Sequence, residues 1–277
     1  MGEPDTTAAA PTPTQLAPQE GRSRRGSPPP GRRRRPPLSP LLLCLATAKE
    51  YAAALGPLGA PAAPPPGRAV AWSRAGRDLL LCVTGVGPVA AALTAGRLLG
   101  EHGDALAGVV NCGVAGGFDL AATPLGSLVA ADEEALPEYG LRTGAGTDGA
   151  AIAFPQLSPA GRPVHDRLPL SPLADAEAMG LRLPRDAVVG PCVTVAGVSG
   201  DDARAVVLAR KYRALAESME GFSLGLAAAM AGLPFLELRA VSNQVGRRPP
   251  GDWDLPGALS ALGRAVAALL KGDPSRV

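Results

Sequence analysis

Histidine is the scarcest reactive side chain in this sequence: among 277 residues only His102 and His165 carry an imidazole, one near the end of a helical pattern and one in an irregular stretch. A histidine-centred triad or metal site is therefore poorly served, and both rings are expected at the surface. The four cysteines, Cys44, Cys82, Cys112 and Cys192, fall far apart inside apolar segments. None has the short paired spacing of a zinc knuckle or redox motif, so buried, reduced thiols are expected, as in a cytoplasmic protein. No apolar run of about 18 residues escapes interruption by Gly, Pro or charge, which argues against a membrane span. Gly85 and Gly87 lack the third glycine of a dinucleotide fingerprint, and no glycine-rich segment ends in Gly-Lys-Ser/Thr to cradle a phosphate. Aromatic residues make up only 3%, alongside heavy use of Ala, Gly, Pro and Arg, a bias that carries no functional reading.

What is present begins with an apolar content of 46%, enough for a substantial core in a chain of this length. The net charge of +2 hides an asymmetry. Residues 1–40 hold seven arginines against three acids, which leaves the rest of the chain slightly acidic and speaks against a nucleic-acid binder. Arg22, Arg24, Arg25 and Arg32 to Arg35 sit among Pro, Gly and Ser, so residues 1–38 read as a disordered basic Pro/Arg-rich tail. The arginines followed by Leu41-Leu42-Leu43-Cys44-Leu45 imitate a signal peptide. The run is shorter than the roughly 7–15 residues of a secretory core, and a first buried strand that delivers Lys49-Glu50 to its end explains more.

Strand-length apolar runs alternate with longer helical patterns, the mark of an α/β sheet. Strands are predicted at 41–46, 69–73, 78–84, 108–112, 127–132, 188–195 and 235–242, and helices at 49–55, 89–101, 202–214, 222–231 and 256–271. Between Pro137 and Pro184 the chain is rich in Gly, Pro, Ser and Thr without clear period, as in a functional flap or a segment whose pattern is obscure. One domain over 39–272, with a flexible C-terminus at 273–277, is the simplest organisation.

Three segments place small or polar residues directly after buried strands, where open α/β folds bind ligands. They are Ala46-Thr47-Ala48-Lys49-Glu50, Thr84-Gly85-Val86-Gly87-Pro88, and Asn111-Cys112-Gly113-Val114-Ala115-Gly116-Gly117. Further on come Glu217-Ser218-Met219-Glu220-Gly221 and Arg239-Ala240-Val241-Ser242-Asn243. In this order the segments resemble the purine nucleoside phosphorylase and nucleosidase superfamily over nearly all of residues 41–270. The resemblance implies a three-layer α/β/α fold with a mixed, twisted central sheet, and a metal-free, cofactor-free N-glycosyl hydrolase. It further implies that Glu50 helps activate water, that Gly113, Val114 and Ala115 form a turn beside the ribosyl pocket, that Met219 packs on the sugar and that Glu220 holds the ribose hydroxyls, with Ser218 and Ser242 lining the same pocket.

Where adenine-specific nucleosidases of that superfamily carry Ser-Asp, this chain carries Ser242-Asn243. An amide offers N–H donors to a purine N7 and a 6-oxo oxygen, which favours hypoxanthine over adenine. Mispaired buried polar groups discriminate by roughly 10⁴-fold or more. The continuation Val245-Gly246-Arg247-Arg248 and Asp252-Trp253-Asp254-Leu255-Pro256 resembles the futalosine hydrolases, which release hypoxanthine from futalosine in menaquinone biosynthesis. Glycosidic cleavage builds positive charge on the ribosyl ring while the base leaves with its electrons, so acids near the sugar and an amide at the base fit the chemistry. No arginine stands in the first two segments to bind phosphate, so water is the expected nucleophile.

Each residue also has a plainer reading. Glu50 is placed as a first-turn helix acid, Met219 as core filling, Glu220 as a helix cap and Asn243 as a turn residue. Arg247 and Arg248 are expected to pair with Asp252 and Asp254 rather than bind the substrate's carboxylate. Asp201 and Asp202 follow Ser199-Gly200 in a turn that the superfamily places near the base, but with Ala203 where an aromatic usually follows, Phe154 or Phe222 must do the stacking. The rival functions are a methylthioadenosine/S-adenosylhomocysteine nucleosidase and a non-catalytic nucleoside-binding protein. The expected partners are a small-molecule nucleoside and, by the resemblance, further copies of the chain as a homo-oligomer, with no nucleic acid or membrane.

Overall fold

The computed structural model describes residues 39–271 apart from 145, 248 and 250–252. The expected tail over 1–38, the C-terminal stretch at 273–277, and the roles of Arg248 and Asp252 lie outside the described residues. Eleven strands are described: β1 (Leu41–Leu45), β2 (Ala69–Arg74), β3 (Arg77–Val83), β4 (Gly108–Gly117), β5 (Leu128–Ala135), β6 (Leu141–Thr143), β7 (Gly146–Asp148), β8 (Arg167–Pro169), β9 (Val188–Thr194), β10 (Ala216–Ser218) and β11 (Phe235–Gln244). The six helices are α1 (Ala48–Leu55), α2 (Pro88–His102), α3 (Pro172–Ala178), α4 (Asp202–Tyr212), α5 (Gly221–Met230) and α6 (Leu255–Leu269).

All five residues of β1 are buried. Leu41, Leu43 and Leu45 face a cluster that includes Tyr51, Ala54 and Leu55 of α1 and Ala258, Leu262 and Val266 of α6. Leu42 and Cys44 face the other side, against Ala91, Ala95 and Leu98 of α2 and Leu224 and Ala228 of α5. A strand covered on both faces needs apolar residues at every position, which is why 41–45 reads as one unbroken run. Each leucine so buried contributes about 2 kcal/mol of transfer free energy. The result is the expected three layers, helices on either side of one sheet.

The path through that sheet runs β10-β9-β5-β11-β4-β1-β3-β2, with β8 added on β5. Pairing is parallel for β1 with β3 and β4, β4 with β11, and β9 with β5 and β10, and antiparallel for β2–β3, β5–β8 and β5–β11. The tip of β10 pairs a second time, antiparallel, with the end of β4: Ala216 with Gly117 and Glu217 with Gly116. The sheet is therefore mixed, as expected.

The structure departs from the sequence reading in three places. The supposed turn at Gly113–Gly117 is the second half of β4, laddered to β11 as far as Gln244. Glycine is a poor strand former, but side chains from neighbouring elements occupy the space where its Cβ would lie, and that packing overrides propensity. The irregular stretch from 137 to 184 contains the β6–β7 hairpin, β8 and α3. β10 is only three residues long, too short to show a period. The four cysteines are buried and free, as expected, and His102 and His165 are both half-buried.

Candidate active site

The C-terminal ends of the parallel strands β1, β4 and β11 meet along one edge, and Gly113–Gly117 forms the spine against which the candidate residues lie. Glu50 starts from the β1 end. Thr47 caps α1 through its hydroxyl, which accepts from the Glu50 backbone N–H at 3.1 Å, and the Glu50 carboxylate turns back to accept from Thr47 N at 3.0 Å and Thr47 Oγ1 at 2.7 Å. Its other oxygen accepts from Val114 N at 3.0 Å. The first-turn reading of Glu50 thus holds, and the same buried carboxylate ties α1 to β4.

A methyl group on Gly113 would lie 2.5 Å from Arg239 Nη1 and 2.8 Å from Glu50 Oε1, so the absence of a side chain there lets a guanidinium and a carboxylate close over the strand. Two residues on, Ser242 Oγ donates to Ala115 O at 3.2 Å. A methyl on Gly116 would come within 3.1 Å of Asn243 Nδ2. The pairing of β10 with Gly116 and Gly117 sets Ser218, Met219 and Glu220 beside the same spine.

Glu220 precedes α5 in the capping position, yet its side chain makes no cap bond. Its carboxylate instead accepts from Gly87 N at 3.0 Å and from Arg239 Nη1 at 3.4 Å. Burial pushes the Glu220 carboxyl above its usual range, while Arg239 and the Gly87 N–H pull it back. Ser218 Oγ is buried without a partner. Met219 is half-buried against a cluster that includes Val195, Leu208 and Tyr212, which agrees with a packing role.

Asn243 is not a turn residue. It lies within β11, just past a register shift between Val241 and Asn243 that leaves Ser242 as the extra residue of a bulge. Bulges re-aim side chains, and here Ser242 and Asn243 both turn toward the spine. The buried Asn243 amide donates to Gln244 O at 2.8 Å, and its Oδ1 lies 2.9 Å from Ser242 Oγ, sharing that hydroxyl's one proton with Ala115 O. Each end keeps hydrogen-bonding capacity beyond these contacts, one further N–H and one further lone pair.

Sequence reasoning gave no role to Arg239, which is 1% exposed and central to the site. Its Nε donates to Glu237 Oε1 at 2.7 Å and its Nη1 to Glu220. These two acids hold the guanidinium charged despite burial. A detectable signal existed: Glu237 and Arg239 alternate inside an otherwise apolar central strand, and buried charges there must be paired. Glu217, also unassigned, accepts from Ser199 N at 2.9 Å and Ser199 Oγ at 2.6 Å, which ties the 199–202 turn to β10.

Asp201 caps α4 by accepting from Arg204 N at 2.8 Å. Arg247 pairs with Asp202, Nη2 to Oδ2 at 2.6 Å, where Gly246 at φ 119° turns the chain back onto the start of α4; the expected pairing with Asp252 lies outside the described residues. Of the two rings considered for stacking, Phe222 is buried in a core cluster with Val164, Leu168 and Leu226, while Phe154 is 68% exposed. Phe118, just past the spine, packs against the same cluster as Met219.

Comparison with known proteins agrees with this geometry. A sequence profile described as the phosphorylase superfamily matches residues 41–271. The futalosine hydrolase of Streptomyces coelicolor is 41% identical over 202 residues, which cover 70% of this chain and 78% of that protein. The futalosine hydrolase of Thermus thermophilus is 34% identical over 196 residues, covering 70% and 82%. Among solved structures, a mutant of the Helicobacter pylori 5′-methylthioadenosine nucleosidase with 5′-methylthioadenosine in its active site superposes with a TM-score of 0.67 at 17% identity, covering 83% of this chain and 96% of that one, a likeness of fold. With these matches, and with the buried acids gathered along β4, the chain belongs to the phosphorylase superfamily and, within it, to the futalosine hydrolases.

Proposed function

We propose that the site cleaves the N-glycosidic bond of futalosine with water and releases hypoxanthine and dehypoxanthine futalosine, a step of menaquinone biosynthesis. The bond between the ribosyl anomeric carbon and the purine nitrogen breaks with its electron pair leaving on the base. Water adds to that carbon and gives up its proton to Glu50. Glu220 holds the ribose hydroxyls and, with Glu50, stabilises the positive charge that develops on the ring. Met219 packs on the sugar, and Gly113, Val114, Ala115, Ser218 and Ser242 shape the pocket. Asn243 donates a hydrogen bond to the departing purine, which takes up a proton from solvent as Glu50 gives its own back, so that neutral hypoxanthine leaves.

The observation that carries the reading is the position of the Asn243 amide, buried beside Gly116 at the end of β11, within the same short spine that holds Glu50 and Arg239. The free N–H of the amide suits the oxygen of a 6-oxopurine, but one N–H and one lone pair also match the adenine edge, so it is the likeness to the futalosine hydrolases that disfavours the methylthioadenosine nucleosidase alternative. Water is favoured over phosphate because two acids, Glu237 and Glu220, already pair with the guanidinium in the site, although its Nη2 has no partner. A non-catalytic binder would have no use for two buried acids held by backbone N–H groups beside the sugar position.

The setting that fits is cytoplasmic, with a nucleoside substrate and neither nucleic acid nor membrane as partner. No helix among the described residues is long and apolar enough to cross a membrane. A homo-oligomer is supported by the exposed Val89 and Leu93 of α2 and by Leu157 and Met230 near an apolar cavity between α2 and α5; sedimentation equilibrium giving only the monomer mass would refute it. The test of the activity is incubation of the purified protein with futalosine and chromatography of the products. Hypoxanthine released without phosphate is the expected result. Release only with phosphate makes the protein a phosphorylase, adenine from methylthioadenosine makes it the alternative nucleosidase, and calorimetric binding of futalosine without product makes it a binder.

A further inference from the structure

Beneath the acids assigned to the sugar lies a second pair of carboxyl groups that the reaction does not touch. Glu134 on β5 and Glu237 on β11 are both 0% exposed. Their side chains converge on Gly221, the first residue of α5: a methyl group there would lie 2.5 Å from Glu134 Oε1 and would overlap both oxygens of Glu237. One oxygen of each acid is engaged. Thr194 Oγ1 donates to Glu134 Oε2 at 2.7 Å and accepts in turn from Phe222 N at 2.8 Å. Arg239 Nε at 2.7 Å and Asn111 Nδ2 at 3.4 Å donate to Glu237 Oε1. The remaining oxygens, Glu134 Oε1 and Glu237 Oε2, have neither solvent nor a donor.

Four buried carboxyl groups, Glu50, Glu134, Glu220 and Glu237, are gathered around the Arg239 guanidinium. Two adjacent carboxylates of which each has one orphaned oxygen are a site for one shared proton. We infer that Glu134 is held neutral and donates a hydrogen bond to the ionised Glu237, and that this pair positions Arg239 and leaves Glu220 its charge for the ribose. Burial, reinforced by the neighbouring Glu237, pushes the Glu134 carboxyl well above the ordinary range. The other groups that face the pair are Arg239 on β11, Asn111 and Cys112 on β4, Thr194 and Cys192 on β9, and Glu220 at the head of α5. Burial keeps both thiols neutral, Cys112 pushed up to about 12. Arg239 therefore has one close carboxylate, Glu237 at 2.7 Å, and reaches Glu220 only at 3.4 Å. If Glu237 lost its charge, the guanidinium would turn fully to Glu220 and neutralise it.

The inference rests on Glu220 serving the ribose, and its test separates the two ideas. Infrared spectroscopy of the unmodified protein at neutral pH should show the carbonyl stretch of a buried, protonated carboxyl that shifts with isotope-labelled glutamate and vanishes in Glu134→Gln. Because an amide is also a neutral donor, Glu134→Gln should keep kcat/KM within about threefold and leave the pH profile in place. Glu237→Gln should lower kcat by about tenfold or more and move the acid limb of the profile to lower pH, because Arg239 then holds Glu220 ionised more strongly. Absence of the infrared band, or equal damage from the two variants, overturns the pair. The band needs no turnover, so a wild-type protein that shows it but leaves futalosine intact overturns the substrate reading instead.

Discussion

At the scale of single residues, the position of Asn243 depends on the one-residue slip at Ser242. Without the bulge, the alternation of β11 would carry Asn243 to the opposite face from the one it occupies. Asn243→Asp replaces an N–H donor with a group that is ionised at neutral pH and presents only acceptors to the 6-oxo oxygen. Hypoxanthine release should fall at least about tenfold, a loss of about 1.4 kcal/mol in transition-state stabilisation, read from kcat/KM with futalosine. Unchanged turnover would remove the base-recognition role. Asn243 was legible in the sequence because its neighbours form a recognisable string. Arg239 stood in that string as well, and its alternation with Glu237 was there to read; its second partner, Glu220, is set by the packing of α5 on the sheet, which no local pattern displays.

At the scale of elements, α1 shows how a cap becomes part of a site. The Thr47 hydroxyl both closes the helix start and supplies one of the three donors that hold the Glu50 carboxylate. Thr47→Ala should cost about 1 kcal/mol in urea unfolding, the usual value of a lost N-cap. It should also reduce turnover by about tenfold, because Glu50 loses a hydrogen bond that fixes its direction. A variant with the stability loss but full activity would separate the cap from the chemistry. An element buried on both faces, such as β1, was readable because burial there demands apolar residues at each position. The second half of β4 was not: Gly113, Gly116 and Gly117 look like a turn until Arg239, Asn243 and Val241 are seen to fill the places of their missing side chains. β10 escaped notice because three residues carry no period, and its position is fixed by β9 and β4 rather than by its own sequence.

At the scale of the whole molecule, the Glu134 proton bears on stability. A carboxyl whose folded pKa is raised binds its proton more tightly in the native state than in the unfolded chain, so folding is most favoured below the unfolded value of 4.5 and loses ground as pH rises toward the folded value. Glu134→Gln has no proton to retain, so its unfolding free energy should gain on the wild type as pH rises above 4.5. Urea midpoints across a pH series check this, and a constant difference between the two proteins would contradict it. A chain begun at residue 39 should turn over futalosine at the wild-type rate, since every residue assigned to the site lies beyond that point; a changed rate would give the basic segment a role in catalysis.

The double pairing of β10 has a mechanical corollary. Because its tip ladders to β4 while its flank ladders to β9, the strands β4, β11, β5, β9 and β10 join end to end as a hoop. A hoop offers no loose margin from which to peel, so the amides of these five strands should surrender to deuterium together, as one cooperative unit. Substrate must then enter and leave past the connecting segments at the rim while the wall stays shut.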